Sequence, residues 1–259
     1  YRRLVEISGN ALAGSCRYIL LFDGAMSEAR IFVNGREVCF WPYGYNSFHC
    51  DITDAVHPGE NLIAVQLENR PQSSRWYPGA GLYRKVRLVK VPAVHIPVWG
   101  TYVTTPYVSR EYACVSIKTE VAGMKAGETV TVRTVIEDAC GKEVASSTDT
   151  RPLAEELPFE QQFIITDPLL WSPESPALYT ARTEILTGGS IGTDWTGRHK
   201  ITVTDGTEIQ DSICTRFGIR SMEIRPGKGF FLNGELRKFK GVCLHHDLGP
   251  LGAAENKAA

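Results

Sequence analysis

The sequence lacks an excess of charge of either sign, and it lacks any long uninterrupted apolar run. It carries 28 lysines and arginines against 29 aspartates and glutamates, a formal net charge of −1. This balance provides no electrostatic basis for binding nucleic acid or an anionic membrane, so neither partner is predicted. The longest stretch without a charged side chain, residues 91–109, contains three prolines and several polar groups. No bilayer-spanning segment is therefore predicted.

Closely spaced cysteines are also absent. The seven cysteines are an odd, dispersed set with no CxxC pair, which favours free thiols at half-buried strand positions over a disulfide framework or a zinc site. Six scattered histidines add no ligand set, so no metal site is predicted. The cysteines are Cys16, Cys39, Cys50, Cys114, Cys140, Cys214 and Cys243.

Helical periodicity is nearly absent, and alternating or β-branched runs recur between turn residues instead. This pattern predicts an all-β fold of the sandwich type. In the first third of the chain, Asn34 and Gly35 predict a hairpin turn, because this pair accepts the positive φ that such turns need. Pro92 is expected to end the last strand of this block. The predicted strands are residues 17–22, 29–33, 37–40, 62–67 and 82–91.

A second block of predicted strands has the spacing typical of an immunoglobulin-like sandwich, without the Cys…Trp…Cys arrangement of antibody domains. Residues 188–206, which contain several glycines, are expected to be a long hairpin or a disordered loop. The predicted strands of this block are residues 113–121, 129–137, 143–147, 159–165, 178–186 and 207–213.

A third block begins near Phe217. Asn233 and Gly234 predict a hairpin between residues 230–232 and 236–240, and the apolar residues 241–244 predict one further strand. A block of about 40 residues without a closing element cannot bury a core alone, so it is interpreted as a stub of a larger domain.

Three motifs resemble a known family. The sequence RWYPGAGLYR at residues 75–84 is similar to the end of the sugar-binding domain of glycoside hydrolase family 2. LWSP at 170–173 with PALY at 176–179 resembles a motif of that family's immunoglobulin-like domain. FGIR at 217–220, FLNG at 231–234 and GVCLHHD at 241–247 resemble the entry into its catalytic (β/α)8 barrel.

The resemblance implies three domains. Residues 1–92 would be a sugar-binding jelly-roll β-sandwich, truncated at its N-terminus, and residues 93–216 an immunoglobulin-like β-sandwich. Residues 217–259 would be a truncated stub of the (β/α)8 barrel. The motifs look closest to bacterial β-galactosidases, while β-glucuronidases and β-mannosidases share the layout.

The resemblance also implies the chemistry. Retaining glycosidases use a Glu acid/base and a Glu nucleophile about 5–5.5 Å apart. In this family both lie on later barrel strands, so the chain is expected to be a non-catalytic N-terminal part of a β-glycosidase, inactive alone. Mg2+ or Na+ is expected only in the complete enzyme, with no cofactor in this part. The compartment stays open between bacterial cytoplasm and periplasm.

Two groups of residues are candidates for binding substrate. His245 matches the family's histidine at the end of the first barrel strand, where a neutral imidazole can hydrogen-bond sugar hydroxyls. Asp247 would orient His245 or accept from a hydroxyl. His246 stands where the family often has Glu. The alternative for Asp247 and His246 is a loop-capping role.

The second group lies in the first motif. In several family members an acidic residue at the position of Arg75 reaches the catalytic pocket, whereas a guanidinium cannot accept a hydrogen bond. Trp76 or Tyr77 is suited to stack on a pyranose ring, and the alternative is that they pack the loop against the barrel. Residues 43–48 are expected to belong to the core of the first domain rather than to a binding loop.

Two other classes of function stay open. The chain could be a free-standing carbohydrate-binding module, or a structural unit that makes homo-oligomer contacts. Residues 217–259 favour a part of an enzyme over a free-standing binding module, because a binding module has no use for the first strand of a barrel. Carbohydrate is the predicted partner both of a β-glycosidase and of a carbohydrate-binding module.

Overall fold

The computed structural model describes residues 1–8, 16–70, 72, 81–123, 129–152, 158–187, 190–193, 199–202, 208–243, 254, 256 and 258. Contacts divide the chain into two units, one of Tyr1–Ala93 with Gly241–Ala259 and one of Val94–Lys240. Among the described residues, the regular structure is almost entirely β-strand, with one short 3-10 helix at Thr53–Ala55, so the all-β prediction is confirmed.

The first unit contains seven strands in two antiparallel sheets. One sheet has the order β1-β6-β3-β4 and the other the order β5-β2-β7. Their facing sides bury a shared apolar core, as in a sandwich. The strands are β1 (Arg2–Ile7), β2 (Cys16–Phe22), β3 (Ala29–Val33), β4 (Arg36–Trp41), β5 (Phe48–Asp51), β6 (Gly59–Gln66) and β7 (Val86–Pro92).

Three stacked rings lie in this core. The ring of Phe48 stacks on Phe22 with a centroid distance of 4.6 Å, and Trp41 stacks on Phe48 at 5.4 Å. Phe22 and Phe48 are buried. The prediction that residues 43–48 belong to the core is confirmed for Gly44 and Phe48, which are buried, whereas Tyr43, Asn46 and Ser47 are exposed.

The predicted hairpin at Asn34 and Gly35 is confirmed, with positive φ at both residues. The Asn34 amide also donates to the carbonyl oxygen of Ala55 at 3.0 Å and to the side-chain oxygen of Asn61 at 2.8 Å. Asn61 is fully buried and in turn donates to the carbonyl oxygen of His57 at 2.7 Å. The turn residue therefore also ties the hairpin to the segment before β6.

The second unit contains a four-stranded sheet, β11-β10-β13-β16, and a three-stranded sheet, β12-β9-β8. Apolar side chains of both sheets share a core. A hairpin of β14 and β15 lies within residues 188–206, where a hairpin was one of two expectations. The strands are β8 (Thr101–Val108), β9 (Tyr112–Thr119), β10 (Thr129–Glu137), β11 (Glu143–Pro152), β12 (Phe159–Thr166), β13 (Tyr179–Thr187), β14 (Ser190–Thr193), β15 (His199–Thr202) and β16 (Glu208–Phe217).

Residues 217–240 belong to this second unit. They form a three-stranded antiparallel sheet of β17 (Met222–Arg225), β18 (Gly229–Leu232) and β19 (Glu235–Arg237). Ile219 is fully buried in the core of the unit. The hairpin predicted at Asn233 and Gly234 is confirmed, and the Asn233 amide donates to the carbonyl oxygen of Trp171 at 3.0 Å. The assignment of residues 217–259 to a barrel stays a prediction.

The strand predicted at residues 241–244 is wrong for its described part, residues 241–243, which have no strand conformation. Val242 is 92% exposed. A parallel strand is stable only between neighbours that pair with its backbone and cover its faces, and no described strand pairs with these residues. Leu244 lies outside the described residues.

Strands β1, β5, β8 and β17 were not predicted, and β7 begins at Val86 rather than at Leu82. Pro106 argued against a strand at β8, because proline has no backbone N–H to donate. It is tolerated here because β8 is an edge strand and the proline lies at a register shift between Thr104 and Tyr107. Tyr83, which belongs to the predicted strand at residues 82–91, lies before β7 and is buried.

All seven cysteines are free thiols. Cys16 and Cys50 are buried, and Cys39 and Cys114 are partly buried, as expected. Burial raises the pKa of the Cys50 thiol to about 12, so this residue is an inert part of the core. The expectation of half-buried positions is wrong for three exposed cysteines, which lie in a turn, at an outward strand position and in a coil: Cys140, Cys214 and Cys243.

Candidate functional site

The six predicted site residues lie outside the described residues. Arg75, Trp76 and Tyr77 belong to residues 73–80, and His245, His246 and Asp247 belong to residues 244–250. The structure does describe the residues on both sides of the first group. These flanking residues share one neighbour, the loop of residues 23–28.

Gly81 joins the C-terminal flank to the 23–28 loop. It forms an antiparallel bridge with Met26, in which each backbone N–H donates to the other residue's carbonyl oxygen at 3.0 Å. Gly81 has a φ of +122°, and a Cβ atom there would meet the hydroxyl of Tyr1. The positive φ favours glycine at this position of the motif, whereas the exposed Tyr1 side chain is able to move aside.

The N-terminal flank binds the same loop. The Ser27 hydroxyl donates to the carbonyl oxygen of Glu68 at 2.7 Å, and the Glu68 N–H donates back to the carbonyl oxygen of Ser27 at 2.9 Å. The Arg70 guanidinium donates to the Glu28 carboxylate at 2.8 Å. Residues 68–70 and Gly81 are therefore held on one loop, from opposite ends of residues 71–80.

Tyr83 and Arg84 extend this attachment to residues 43–45. The Tyr83 hydroxyl donates to the carbonyl oxygen of Gly44 at 2.8 Å. Burial raises the pKa of Tyr83, so the phenol stays a neutral donor near pH 7. The Arg84 guanidinium donates to the carbonyl oxygens of Asp23 at 3.2 Å and Tyr45 at 3.1 Å.

The carboxylates of this region are engaged by arginines. Asp23 accepts two hydrogen bonds from Arg87, at 2.8 and 2.7 Å, in a bidentate pair. Glu28 accepts from Arg70. Because Asp23 and Glu28 are each paired with an arginine, they can help to position a neighbouring segment, but they are not arranged as a catalytic acid/base pair.

The described residues contain no group of three or more His, Cys, Asp or Glu side chains that could hold a metal ion. In the same part of the chain, no helix is long and apolar enough to cross a membrane. The expectation of Mg2+ or Na+ in the complete enzyme stays a prediction.

Two family models match the chain in succession. Residues 1–92 match the sugar-binding domain of glycosyl hydrolases family 2, and residues 94–197 match a second domain model of glycosyl hydrolases family 2. Together they cover about three quarters of the chain. The chain belongs to glycoside hydrolase family 2.

Relatives and solved structures of family 2 agree with this assignment. A β-galactosidase of Bacteroides ovatus is 38% identical over 92% of this chain and 26% of its own length. A β-glucuronidase of Bacteroides fragilis is 29% identical over 92% of this chain and 34% of its own length. A family 2 member from Bacteroides cellulosilyticus has a crystal structure with a TM-score of 0.83 and 33% identity, covering 98% of this chain and 33% of that one. The chain thus spans a quarter to a third of these relatives.

The sequence did not predict the side-chain contacts of Tyr83 and Arg84, in the second half of the first family 2 motif. It selected Arg75, Trp76 and Tyr77 and treated Tyr83 and Arg84 as part of a strand. The structure shows that these two side chains bind backbone oxygens of other loops. No local signal singled them out, since the predicted strand at residues 82–91 also contains Lys85, Arg87 and Lys90.

Proposed function

We propose that this chain is the sugar-binding and immunoglobulin-like part of a retaining β-glycosidase that hydrolyses terminal β-linked sugars. A β-galactosidase is the first choice, and a β-glucuronidase or β-mannosidase is the alternative. The observation that carries the proposal is the succession of two family 2 domain models over residues 1–92 and 94–197. The 38% identity to a β-galactosidase favours that substrate class.

The proposal divides the chemistry between this chain and the rest of the enzyme. Both catalytic glutamates lie outside these 259 residues, on later strands of a barrel that begins within residues 217–259. His245, His246 and Asp247 bind substrate hydroxyls at the end of the first barrel strand. Any Mg2+ or Na+ is held by other parts of the enzyme. Homo-oligomer contacts are part of the same proposal.

Residues 75–77 are proposed to contact the sugar. Trp76 and Tyr77 offer flat apolar rings with polar edges, which suit the apolar face of a pyranose. The support for this role is the double attachment of their flanks to the 23–28 loop, through Gly81 on one side and Ser27 and Glu68 on the other. A binding segment held at both ends loses less conformational entropy when it meets a ligand.

The substrate class is tested with the complete enzyme. Values of kcat/KM for p-nitrophenyl β-galactoside, β-glucuronide and β-mannoside should be highest for the galactoside. A higher value for one of the other two glycosides would replace β-galactosidase by that alternative. Hydrolysis of none of the three would contradict the glycosidase proposal itself.

The role of Trp76 is tested by Trp76→Ala in the complete enzyme. Loss of a stacking ring should lower kcat/KM for the aryl β-galactoside roughly tenfold, mainly through KM. The matched control is Tyr102→Ala, which removes an aromatic ring that is 64% exposed on β8. Equal effects of the two substitutions would remove Trp76 from the binding site.

The role of His245 is tested by His245→Ala in the complete enzyme. A hydroxyl contact that strengthens in the transition state is worth about 2–4 kcal/mol, so kcat/KM should fall roughly 30- to 1,000-fold. Circular dichroism and the thermal midpoint verify that the fold is retained. Wild-type kinetics in a folded variant would assign His245 to a structural role.

A further inference from the structure

An open pocket of about 490 Å³ lies in the second unit, between the middle of β8 and the C-terminal end of β16. Two arginines, Arg216 and Arg220, line it together with the adjacent threonines Thr104 and Thr105. None of its described lining residues is acidic. The pocket therefore combines two fixed positive charges with hydroxyl groups and has no internal counter-charge.

The Arg220 guanidinium makes no hydrogen bond with any residue that the structure describes. Its guanidinium carbon lies over the Trp171 ring, 4.7 Å from the ring centroid, in a cation–π contact. Its backbone carbonyl oxygen accepts from the Thr105 hydroxyl at 3.1 Å. No carboxylate among the described residues pairs with this guanidinium. A guanidinium in such a contact keeps its charge and its capacity to donate hydrogen bonds.

Arg216 is exposed on β16, opposite Thr180 of β13. It too has no ion pair with any described residue. A second pocket of the same unit, of about 260 Å³, provides the contrast. There Arg237 binds Glu174 at 2.7 Å, and Arg110 lies 3.8 Å from Glu235. The unit thus neutralises one arginine pair internally and leaves the other available.

We propose that Arg216 and Arg220 form a binding site for an oxyanion, supplied by the carboxylate of an acidic sugar or by inorganic sulfate. A guanidinium matches the geometry of such ligands, because it can donate two parallel N–H bonds to one group of oxygens, and both arginines line the same pocket. The hydroxyl of Thr104 is a further donor in the same lining. Nothing in this proposal depends on the glycosidase assignment of the chain.

The experiment is an NMR titration of the 259-residue chain with sodium glucuronate, sodium sulfate and glucose. The side-chain Nε–Hε signals of Arg216 and Arg220, assigned from Arg216→Gln and Arg220→Gln, should shift saturably with glucuronate or sulfate and stay unchanged with glucose. Binding should weaken in high salt, since exposed charges are screened. Tighter binding of glucuronate identifies an acidic sugar as the ligand, whereas tighter binding of sulfate identifies the inorganic anion.

The variants decide whether the pocket is responsible. Arg216→Gln should weaken anion binding roughly tenfold, because a charged hydrogen-bond donor is lost. Arg110→Gln, in the neutralised pocket, is the matched control and should leave the affinity unchanged. Arg220→Gln also removes the contact with Trp171 and could therefore unfold the chain. In that case the result for Arg216→Gln decides the test, because Arg216 is exposed. Absence of saturable shifts, or equal weakening by Arg216→Gln and Arg110→Gln, would overturn the proposal.

Discussion

The 259-residue chain should leave aryl β-galactosides uncleaved, at a rate at least about 10^6-fold below that of the complete enzyme. Enzymes accelerate reactions by about 10^6-fold or more, and a retaining glycosidase does so through a nucleophile and a proton donor that we place outside this chain. The one buried carboxylate of the described core, Glu184, does not substitute for them. It is bound by Arg182 and lies 3.8 Å from Arg133.

The measurement is release of p-nitrophenolate over hours, with the complete enzyme at matched concentration as the control. A 2-deoxy-2-fluoro galactoside, which traps the covalent intermediate of retaining enzymes, should label the complete enzyme and leave the 259-residue chain unlabelled. Turnover that co-purifies with the chain, together with labelling of one of its carboxylates, would refute the division of chemistry proposed above.

Phe22→Ala should destabilise the first unit by about 3–5 kcal/mol, the usual cost of removing a buried phenylalanine ring. Phe22 is fully buried and stacks on Phe48, which in turn stacks on Trp41. The substitution removes the end of this stack and leaves a cavity between the two sheets. In a domain of this size the loss corresponds to a fall in Tm of at least about 12 °C.

Calorimetry of the chain measures this effect. Phe40→Ala is the matched control, because Phe40 belongs to the same unit but is 46% exposed on β4, beside Arg30. The control should lower Tm by only a few degrees. A similar fall for both variants would mean that the stacked rings do not form the main core of the unit.

Most of the β-structure was predictable, because side-chain alternation and turn residues act locally. The strands at Ala29–Val33 and Thr129–Glu137 were predicted with the bounds that the structure has. Strand β8 was missed, since a proline inside a strand is acceptable only on an edge or at a bulge, and the sequence does not say which strand lies at an edge. The predicted strand at residues 241–244 failed over 241–243 because it depended on neighbours that no described segment provides.

The site was predictable as a motif but not as an arrangement. Residues 75–84 identify the family through their order, whereas the use of Tyr83 and Arg84 depends on Gly44, Tyr45 and Asp23, which lie 39 to 61 positions away. Which side chain meets which backbone oxygen follows from sheet order. Sheet order is a long-range property that local patterns do not encode.

The sequence by itself determined the β-class of the chain, its hairpins at Asn34 and Asn233, and its membership of glycoside hydrolase family 2. These follow from local conformational preference and from motif order. The tertiary structure alone decided which charges are neutralised. Arg110 and Arg237 form ion pairs with Glu235 and Glu174, whereas Arg216 and Arg220 form none with the described residues. The physical reason is that an ion pair needs two side chains within about 4 Å, and such distances between remote residues are set by strand pairing and packing.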